Sequence, residues 1–306
     1  MEKAYHQIRK LAKIHDDPVY IVIIIDAIIS ILLILGLSII SLIKKAKRTN
    51  IFIFAFNLII MSGIKNISYT LNWVIDNELL YKNNFLCKMQ STLMVVPSIS
   101  QEFWVSSITL TCYLTIVKGK SLDQKFNNKF LLFSFLINDL VPIVIIVIYH
   151  ILDVLGQNYL YCWIKPNVGP ACAIIQYVLK WSSILLNIYL TIRIVITLNR
   201  ISGVDELETK KLKSLATRML SFPLIQLLAA ILLTIYRLFD LKVLGKPVVI
   251  CGSLQGILYP LCFGWNIDVV YTFCGCCCKK SEDIDPLVIP DNYSLREMSL
   301  NIISEL

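Results

Sequence analysis

The chain has 306 residues, of which 57% are apolar and 16% are charged, and its mean hydropathy is +0.70. One soluble core cannot bury this much apolar surface, so the composition indicates an integral membrane protein. The net charge of +8 does not indicate a nucleic-acid partner, because the basic residues lie between apolar runs, where they orient a chain in a membrane.

Seven apolar stretches are long enough to cross a bilayer, which takes a helix of about 20 residues. They are residues 19–43, 51–75, 91–117, 130–152, 171–198, 215–239 and 248–273. Because the connections are short, the sequence predicts an all-α bundle of seven transmembrane helices. A tail of residues 1–18 precedes the bundle and a polar tail of residues 274–306 follows it. The first twenty residues carry charge throughout, so we expect the first span to remain as an anchor rather than act as a signal peptide.

Lys and Arg are concentrated in the first, third and fifth connections. The positive-inside rule therefore places the N-terminus outside the cell and the C-terminus in the cytoplasm, and we expect the plasma membrane as the location. The basic N-terminal tail, with Lys3, Arg9, Lys10 and Lys13, favours the opposite orientation.

A cysteine pair is expected on the outer side. Cys87 precedes the third span, and Cys162 lies in the fourth connection within LYCWIKP. The other cysteines lie in apolar runs or on the cytoplasmic side: Cys112, Cys172, Cys251, Cys262, Cys274, Cys276, Cys277 and Cys278. We predict a disulfide between Cys87 and Cys162; the alternative is two free thiols, which an oxidising compartment disfavours.

Short motifs occur in a fixed order along the spans: LCKMQ before the third, CWI in the fourth connection, WSSILLNIYLTIR in the fifth, SFPLI in the sixth and LQGILYP in the seventh. With the seven spans and the cysteine pair, they resemble the G-protein-coupled receptors, and most closely the slime-mould cyclic-AMP receptor family, which is distantly secretin-like. Rhodopsin-like motifs are missing, since the third span ends CYLTIVKGK and the seventh has no Asn-Pro-x-x-Tyr. The resemblance implies a non-enzymatic receptor for an extracellular small molecule, signalling through a heterotrimeric G protein.

Ionisable residues inside a membrane are costly unless paired or wetted, so they mark candidate sites. Asp26, Lys65, Glu102 and Lys180 fall in one layer, about 10–16 Å from the outer ends of their spans. Two hypotheses remain open: structural ion pairs of Asp26 with Lys65 and Glu102 with Lys180, or a cavity for an anionic or strongly polar ligand. The predicted ligand-binding residues are Lys65, Tyr69, Trp73, Gln90, Glu102, Lys180, Arg237 and Gln255.

Three further charges, Asp139, Arg193 and Asp268, lie in the middle or the cytoplasmic half of the spans. With Asp26, they are predicted to be intramembrane polar or switch residues. They could form a polar lock of the inactive state, or structural pairs. Prolines inside spans are candidate hinges or static kinks: Pro97, Pro142, Pro223 and Pro260.

The cytoplasmic face carries two further predictions. Arg200, Lys210, Lys211 and Lys213, around the fifth connection, are expected to face the G protein. FCGCCCKK places Cys274, Cys276, Cys277 and Cys278 beside lysines at the membrane edge, which is typical of S-palmitoylation. We expect no metal and no cofactor, because the cysteines are too closely spaced for a metal site and the chain has three histidines.

The main alternative to a receptor is a seven-helix transporter or channel, with the buried charges lining a substrate path. The spans show no internal symmetry between halves, which such carriers often have, so the receptor hypothesis is preferred. The partners expected are an extracellular ligand, a heterotrimeric G protein and membrane lipids.

Overall fold

The computed structural model describes the backbone of residues 18–43, 50–74, 83–118, 124–158, 161–165, 170–201, 206–238 and 245–264. Side chains are described in residues 21–36, 53–71, 83–118, 128–157, 161–165, 171–200, 220–236 and 247–262.

Seven long helices make up most of the described chain, the number predicted from the apolar runs. They are α1 Pro18–Ile43, α2 Asn50–Val74, α3 Asn84–Ile116, α4 (Gln124–Phe135, Leu136–Leu140 and Val141–Ile151), α5 Pro170–Ile201, α6 Glu206–Leu238 and α7 Gly245–Gly264. By length and composition alone, two helical segments of the described residues could cross a membrane, Asn128–Ile151 and Ala171–Arg200. Shorter apolar helical segments are Ile21–Gly36, Leu220–Tyr236 and Pro247–Cys262.

The helix α3 is the centre of the bundle. It packs against α2, α4, α5 and α6 and against both strands of a hairpin described below. It begins at Asn84 instead of residue 91, because the side chain of Asn83 accepts hydrogen bonds from the backbone N–H groups of Phe85 and Leu86. This N-cap starts the helix in a polar segment that a search for apolar runs does not include.

A π-helical turn, Leu136–Leu140, interrupts α4 directly before Pro142. Proline donates no backbone hydrogen bond, and its ring collides with the carbonyl four residues earlier, so a wider turn relieves the clash. Pro97, Pro223 and Pro260 lie inside α3, α6 and α7. All four prolines therefore lie within the helices, as predicted.

The fourth connection forms a small antiparallel hairpin, which the sequence analysis did not predict. Its strands are β1 Leu155–Asn158 and β2 Tyr161–Ile164, with Gln157 opposite Cys162. Cys162 is bonded to Cys87 of α3 with Cα atoms 5.3 Å apart, so the predicted disulfide is confirmed. The end of the bundle that carries this hairpin is called the hairpin end.

The largest apolar cluster lies in the half of the bundle away from the hairpin. Trp104 of α3, fully buried, contacts Phe54 of α2 and Phe135 of α4 with ring centroids 5.4 Å and 5.1 Å apart. Phe222 of α6 and Tyr259 of α7 join the cluster, with ring centroids 5.7 Å apart. Ile194 and Leu198 of α5 also belong to the cluster, so helices α2 to α7 meet in one core.

Candidate ligand cavity at the hairpin end

A cavity of about 90 Å³ lies inside the bundle beneath β2. This volume has room for several water molecules or a small polar group. Its polar and aromatic lining comes from α2, α3, α5, α7 and β2: Lys65, Tyr69, Ser98, Glu102, Phe103, Tyr161, Trp163, Gln176, Tyr177, Lys180 and Gln255. The cavity is called the ligand cavity below.

Lys65 of α2 is only 4% exposed, and its ammonium group is held by two amides. Its Nζ donates to Oε1 of Gln101 over 2.8 Å and to Oε1 of Gln255 over 2.5 Å. Among the described residues, no carboxylate lies within ion-pair distance of this Nζ. An ammonium has three hydrogens, so one N–H remains for a group inside the ligand cavity.

Glu102 of α3 and Lys180 of α5 form a buried ion pair with Oε1 and Nζ 2.9 Å apart. This is one of the two ion pairs that the sequence offers as a structural alternative to a ligand site. In the part of the chain described, the second carboxylate oxygen, Oε2, has no hydrogen-bond partner. The pair therefore has an acceptor left for a donor on a ligand, in addition to tying α3 to α5.

The described charges that line the ligand cavity are two ammonium groups, on Lys65 and Lys180, and one carboxylate, on Glu102. A bound group with one negative charge would balance them. Tyr69 and Tyr161 form part of the wall, with their rings in an edge-to-face contact at 6.1 Å. The site therefore combines a net positive charge with aromatic surface.

A family model for the seven-transmembrane receptors of the secretin family matches residues 16–258 of the chain. The chain belongs to this receptor family. Members are non-enzymatic membrane receptors, so the predicted seven-helix membrane fold and the superfamily are confirmed. The transporter alternative receives no support from this match. A search among curated proteins finds no match.

Five of the predicted ligand-binding residues of this secretin-family receptor line the ligand cavity together: Lys65, Tyr69, Glu102, Lys180 and Gln255. Gln90 instead lies beneath the hairpin, where its amide donates to the Ser68 carbonyl and accepts from the Cys162 backbone N–H. Its position favours a role in holding β2 on α2 and α3. The side chains of Trp73 and Arg237 lie outside the described residues.

Sequence reasoning missed several parts of the ligand cavity. Tyr161 and Trp163 enter it from β2, and Gln176 enters from near the start of α5. Gln101, next to Glu102 in sequence, was missed as the partner of Lys65. The signal available was the alternation along Tyr161-Cys162-Trp163, which is typical of a strand with two different faces.

Asp26 does not pair with Lys65, so this ion-pair hypothesis was wrong for the described structure. The Asp26 carboxylate accepts a hydrogen bond from Asn66 Nδ2 over 2.8 Å, while Lys65 turns to its two glutamine partners. Asn66 and Lys65 are adjacent on α2 and therefore point about 100° apart around the helix axis. The receptor thus has two separate polar sites at this level.

Asp139, Arg193 and Asp268 were expected to form either a polar lock or structural pairs, and in the described structure Asp139 and Arg193 do not pair with each other. Asp139, on the π-helical turn of α4, accepts from Ser100 Oγ over 2.8 Å and from Trp104 Nε1 over 3.1 Å. Arg193 is exposed on the outer surface of α5. Asp139 therefore links α4 to α3. Asp268 lies outside the described residues.

On the far side of the receptor, Arg200 is exposed near the end of α5. The side chains of Lys210, Lys211 and Lys213 in α6 lie outside the described residues. So do Cys274, Cys276, Cys277 and Cys278, the predicted lipidation sites.

At the hairpin end, Asp153 bridges two lysines. Its carboxylate lies 2.6 Å from Lys88 Nζ and 2.9 Å from Lys165 Nζ. Hydrogen bonding to Lys88, then to Lys165, lowers the pKa of Asp153 from 3.8 to about 2. A carboxyl group with a depressed pKa stabilises the fold above its unfolded pKa, and this contribution is lost as the pH falls from 3.8 toward 2.

We therefore expect a carbon-13 NMR titration of the purified receptor to give Asp153 a midpoint near pH 2. In Lys88→Met, the midpoint should rise, because the first of its two ammonium partners is removed. A midpoint at the ordinary value of 3.8 in the unmodified receptor would contradict the bridged geometry.

Proposed function

We propose that this receptor binds a small anionic ligand in the ligand cavity and signals through a heterotrimeric G protein at the opposite end of the bundle. The observation that carries the proposal is the Lys65 ammonium group, which is buried against two neutral amides and has no carboxylate partner among the described residues. A buried cation without an opposite charge costs several kcal/mol, and an anionic ligand would offset that cost.

The proposal places the hairpin end outside the cell, with the N-terminus outside and the C-terminus in the cytoplasm of a plasma-membrane receptor. The concentration of Lys and Arg in the first, third and fifth connections supports this orientation. The disulfide between Cys87 and Cys162 supports it as well, since disulfides persist in oxidising compartments. A ligand would then reach the cavity past the hairpin.

The proposed ligand is a small organic anion with a flat or apolar part. Lys65 and Lys180 suit its negative group, Glu102 Oε2 suits a donor on it, and the Tyr69 and Tyr161 rings suit an apolar surface. The resemblance to the slime-mould cyclic-AMP receptor family supports a small-molecule ligand, and we propose that the chain lies nearest that branch. The resemblance does not specify cyclic AMP itself.

Coupling to a G protein is proposed to use α5 and α6, which both reach the ligand cavity. Lys180 and Leu179 line it from α5, and Leu233 lines it from α6. Below the cavity the two helices are joined by a hydrogen bond from Asn187 Nδ2 to Gln226 Oε1 over 3.0 Å. A ligand that draws Lys180 toward itself would shift α5 against α6.

The cytoplasmic ends of α5 and α6 would then change the surface presented to the G protein. Arg200, Lys210, Lys211 and Lys213 are the residues proposed to face it. The four cysteines after α7, Cys274, Cys276, Cys277 and Cys278, are proposed to be palmitoylated and to hold the tail at the membrane.

Lys65→Met tests the proposal, because methionine keeps most of the volume and removes the charge. In cells expressing the receptor, G-protein recruitment would be screened with small carboxylic and phosphoric acids and nucleotides. For the most active compound, we expect the half-maximal concentration to rise about 10–100-fold, the effect of losing one charged hydrogen bond. Surface level, measured with an N-terminal tag, would be used to normalise the response.

Lys88→Met is the matched control, because it removes an ammonium group that pairs with Asp153 at the hairpin end and does not line the ligand cavity. Its half-maximal concentration should stay near that of the unmodified receptor. Unchanged potency in Lys65→Met, or an equal loss in both variants, would contradict a ligand contact at Lys65.

A further inference from the structure

The outer surface of α5 carries two arginines at the end away from the hairpin. Arg193 and Arg200 are both exposed, whereas the neighbouring Ile194 and Leu198 are buried in the large apolar core. Residues seven apart differ by about 20° around a helix axis, so the two arginines lie in one line along α5. Tyr189, which is 57% exposed, lies on nearly the same side one turn closer to the hairpin. We call Tyr189, Arg193 and Arg200 the arginine row.

The inner part of the arginine row is surrounded by apolar surface. Ile192, Val195 and Ile196, which flank Arg193, are 52%, 37% and 42% exposed. The segment Ala171–Arg200 is long and apolar enough to cross a membrane, so this exposed surface of the receptor faces lipid. Charged side chains in spanning helices usually face the bundle interior, so an arginine on the lipid-facing side requires a partner there.

The two arginines lie at different depths in the bilayer. The hydrocarbon core is about 30 Å thick, and the headgroup layers bring the total thickness to about 40–45 Å. Counted along the helix from Ala171, Arg193 lies at about 33 Å and Arg200 at about 44 Å. Arg193 therefore lies where the headgroups join the acyl chains, and Arg200 lies about 10 Å farther out, on the water side of the headgroups.

The described residues supply no anion to the arginine row. The helix α5 contains no Asp or Glu from Pro170 to Ile201. In the part of the chain that the structure describes, no carboxylate lies within 4 Å of either guanidinium group. Both arginines can therefore donate hydrogen bonds to an anion from the membrane.

We propose that the arginine row binds an anionic phospholipid whose headgroup carries a second phosphate beyond the phosphodiester, namely a phosphorylated phosphatidylinositol. A guanidinium group can donate two parallel hydrogen bonds to phosphate oxygens. Arg193 lies at the level of the phosphodiester, and Arg200 lies at the level of a phosphate on the headgroup ring. Tyr189 lies beside the acyl chains close to the interface, where aromatic side chains are enriched.

The spacing of the arginines disfavours other common lipids. In a zwitterionic lipid the phosphodiester suits Arg193, but the outer group is a cation, which Arg200 repels. A lipid with a single negative charge pairs with Arg193 and leaves Arg200 without an anion. In the orientation proposed above, the row faces the cytoplasmic leaflet, which carries the anionic lipids. Because Arg200 is also proposed to face the G protein, the bound lipid would lie at the edge of that surface.

The test is native mass spectrometry of the purified full-length receptor titrated with phosphatidylinositol monophosphate, phosphatidylinositol and phosphatidylcholine. We expect affinity to fall in that order by about five-fold at each step, the effect of one arginine near a charged membrane surface. Arg200→Gln should lower the affinity for the monophosphate to that for phosphatidylinositol and leave phosphatidylinositol unchanged. Arg193→Gln should weaken both anionic lipids.

Lys129→Gln is the matched control, because Lys129 is exposed near the start of α4, at the same end of the bundle and outside the arginine row. Its three lipid affinities should match those of the unmodified receptor. Equal binding of the three lipids would overturn the proposal, as would an equal loss in Lys129→Gln and Arg193→Gln. Binding of the soluble inositol bisphosphate headgroup as tightly as the lipid would assign the site to a free phosphate and also overturn it.

Thermal unfolding of each variant checks that it is folded. Both arginines are exposed, so the glutamine variants should keep the Tm of the unmodified receptor. If Arg193→Gln does not fold, Arg193→Lys decides, because it keeps the charge and loses the paired hydrogen bonds. It should still weaken both anionic lipids, and unchanged affinities in this variant would contradict a phosphate contact at Arg193.

Discussion

Replacing Cys87 and Cys162 together by serine is expected to lower the Tm of the receptor by about 5–10 °C. The bond closes a loop with a sequence separation of 75, and losing such a crosslink typically costs about 2–4 kcal/mol because the unfolded chain gains freedom. Cys162 is fully buried and Cys87 nearly so, so the change also disturbs packing between β2 and α3. Thermal unfolding of the purified receptor in detergent measures the effect.

The effect should extend to ligand response, because the neighbours of Cys162 in β2, Tyr161 and Trp163, line the ligand cavity. Gln90 still holds the Cys162 backbone N–H, so we expect the hairpin to loosen and not to be lost. Cys251→Ser is the control, since Cys251 is a free, partly buried cysteine. A Tm that is the same with and without a reducing agent would contradict a stabilising disulfide.

Trp104→Ala is expected to cost about 3–5 kcal/mol, the usual range for removing a buried Trp or Phe side chain. Trp104 is 0% exposed at the meeting point of α2, α3 and α4, and its indole N–H also donates to Asp139. The alanine variant therefore leaves both a large cavity and a carboxylate with one fewer donor. Reduced surface level and a lower Tm should accompany each other.

Trp104→Phe separates these two contributions, because it keeps a ring against Phe54 and Phe135 and removes the indole N–H. We expect it to cost about 1–3 kcal/mol, the effect of one lost hydrogen bond to a charged group. Phe85→Ala on the same helix is the control, since Phe85 is 73% exposed. A phenylalanine variant as damaged as the alanine variant would show that the hydrogen bond, and not packing, dominates at this position.

Span length and residue chemistry determined much of this receptor without reference to its structure. A bilayer requires about 20 apolar residues for each helix, so seven long runs predicted seven helices. The pairing of Cys87 with Cys162 followed from where the other cysteines lie. A charged group at membrane depth must face the bundle interior, and this reasoning correctly brought Lys65, Glu102 and Lys180 to one cavity.

Partner choice inside the bundle was decided only by tertiary packing. Depth along a helix is a property of the sequence, but the direction in which a side chain points depends on how the helix is rotated against its neighbours. Lys65 and Asn66 point about 100° apart around the axis of α2. Lys65 therefore donates hydrogen bonds to Gln101 and Gln255, whereas Asn66 donates to Asp26. The rotation of α5 against its neighbours likewise leaves the Arg193 side chain exposed on the outer surface of the helix.

The hairpin was also determined by contacts between distant parts of the chain. Gln157 and Cys162 pair across its two strands, Cys162 is bonded to α3, and Gln90 caps the Cys162 N–H, so its backbone groups are satisfied only in the folded bundle. The residues of β2, Tyr161–Ile164, favour a strand, but a two-stranded hairpin alone is at best marginally stable in water, so its packing on the bundle stabilises it. Apolar length and charge thus determined the spans and the layer of the cavity, whereas helix rotation and long-range hydrogen bonds determined which residues meet there.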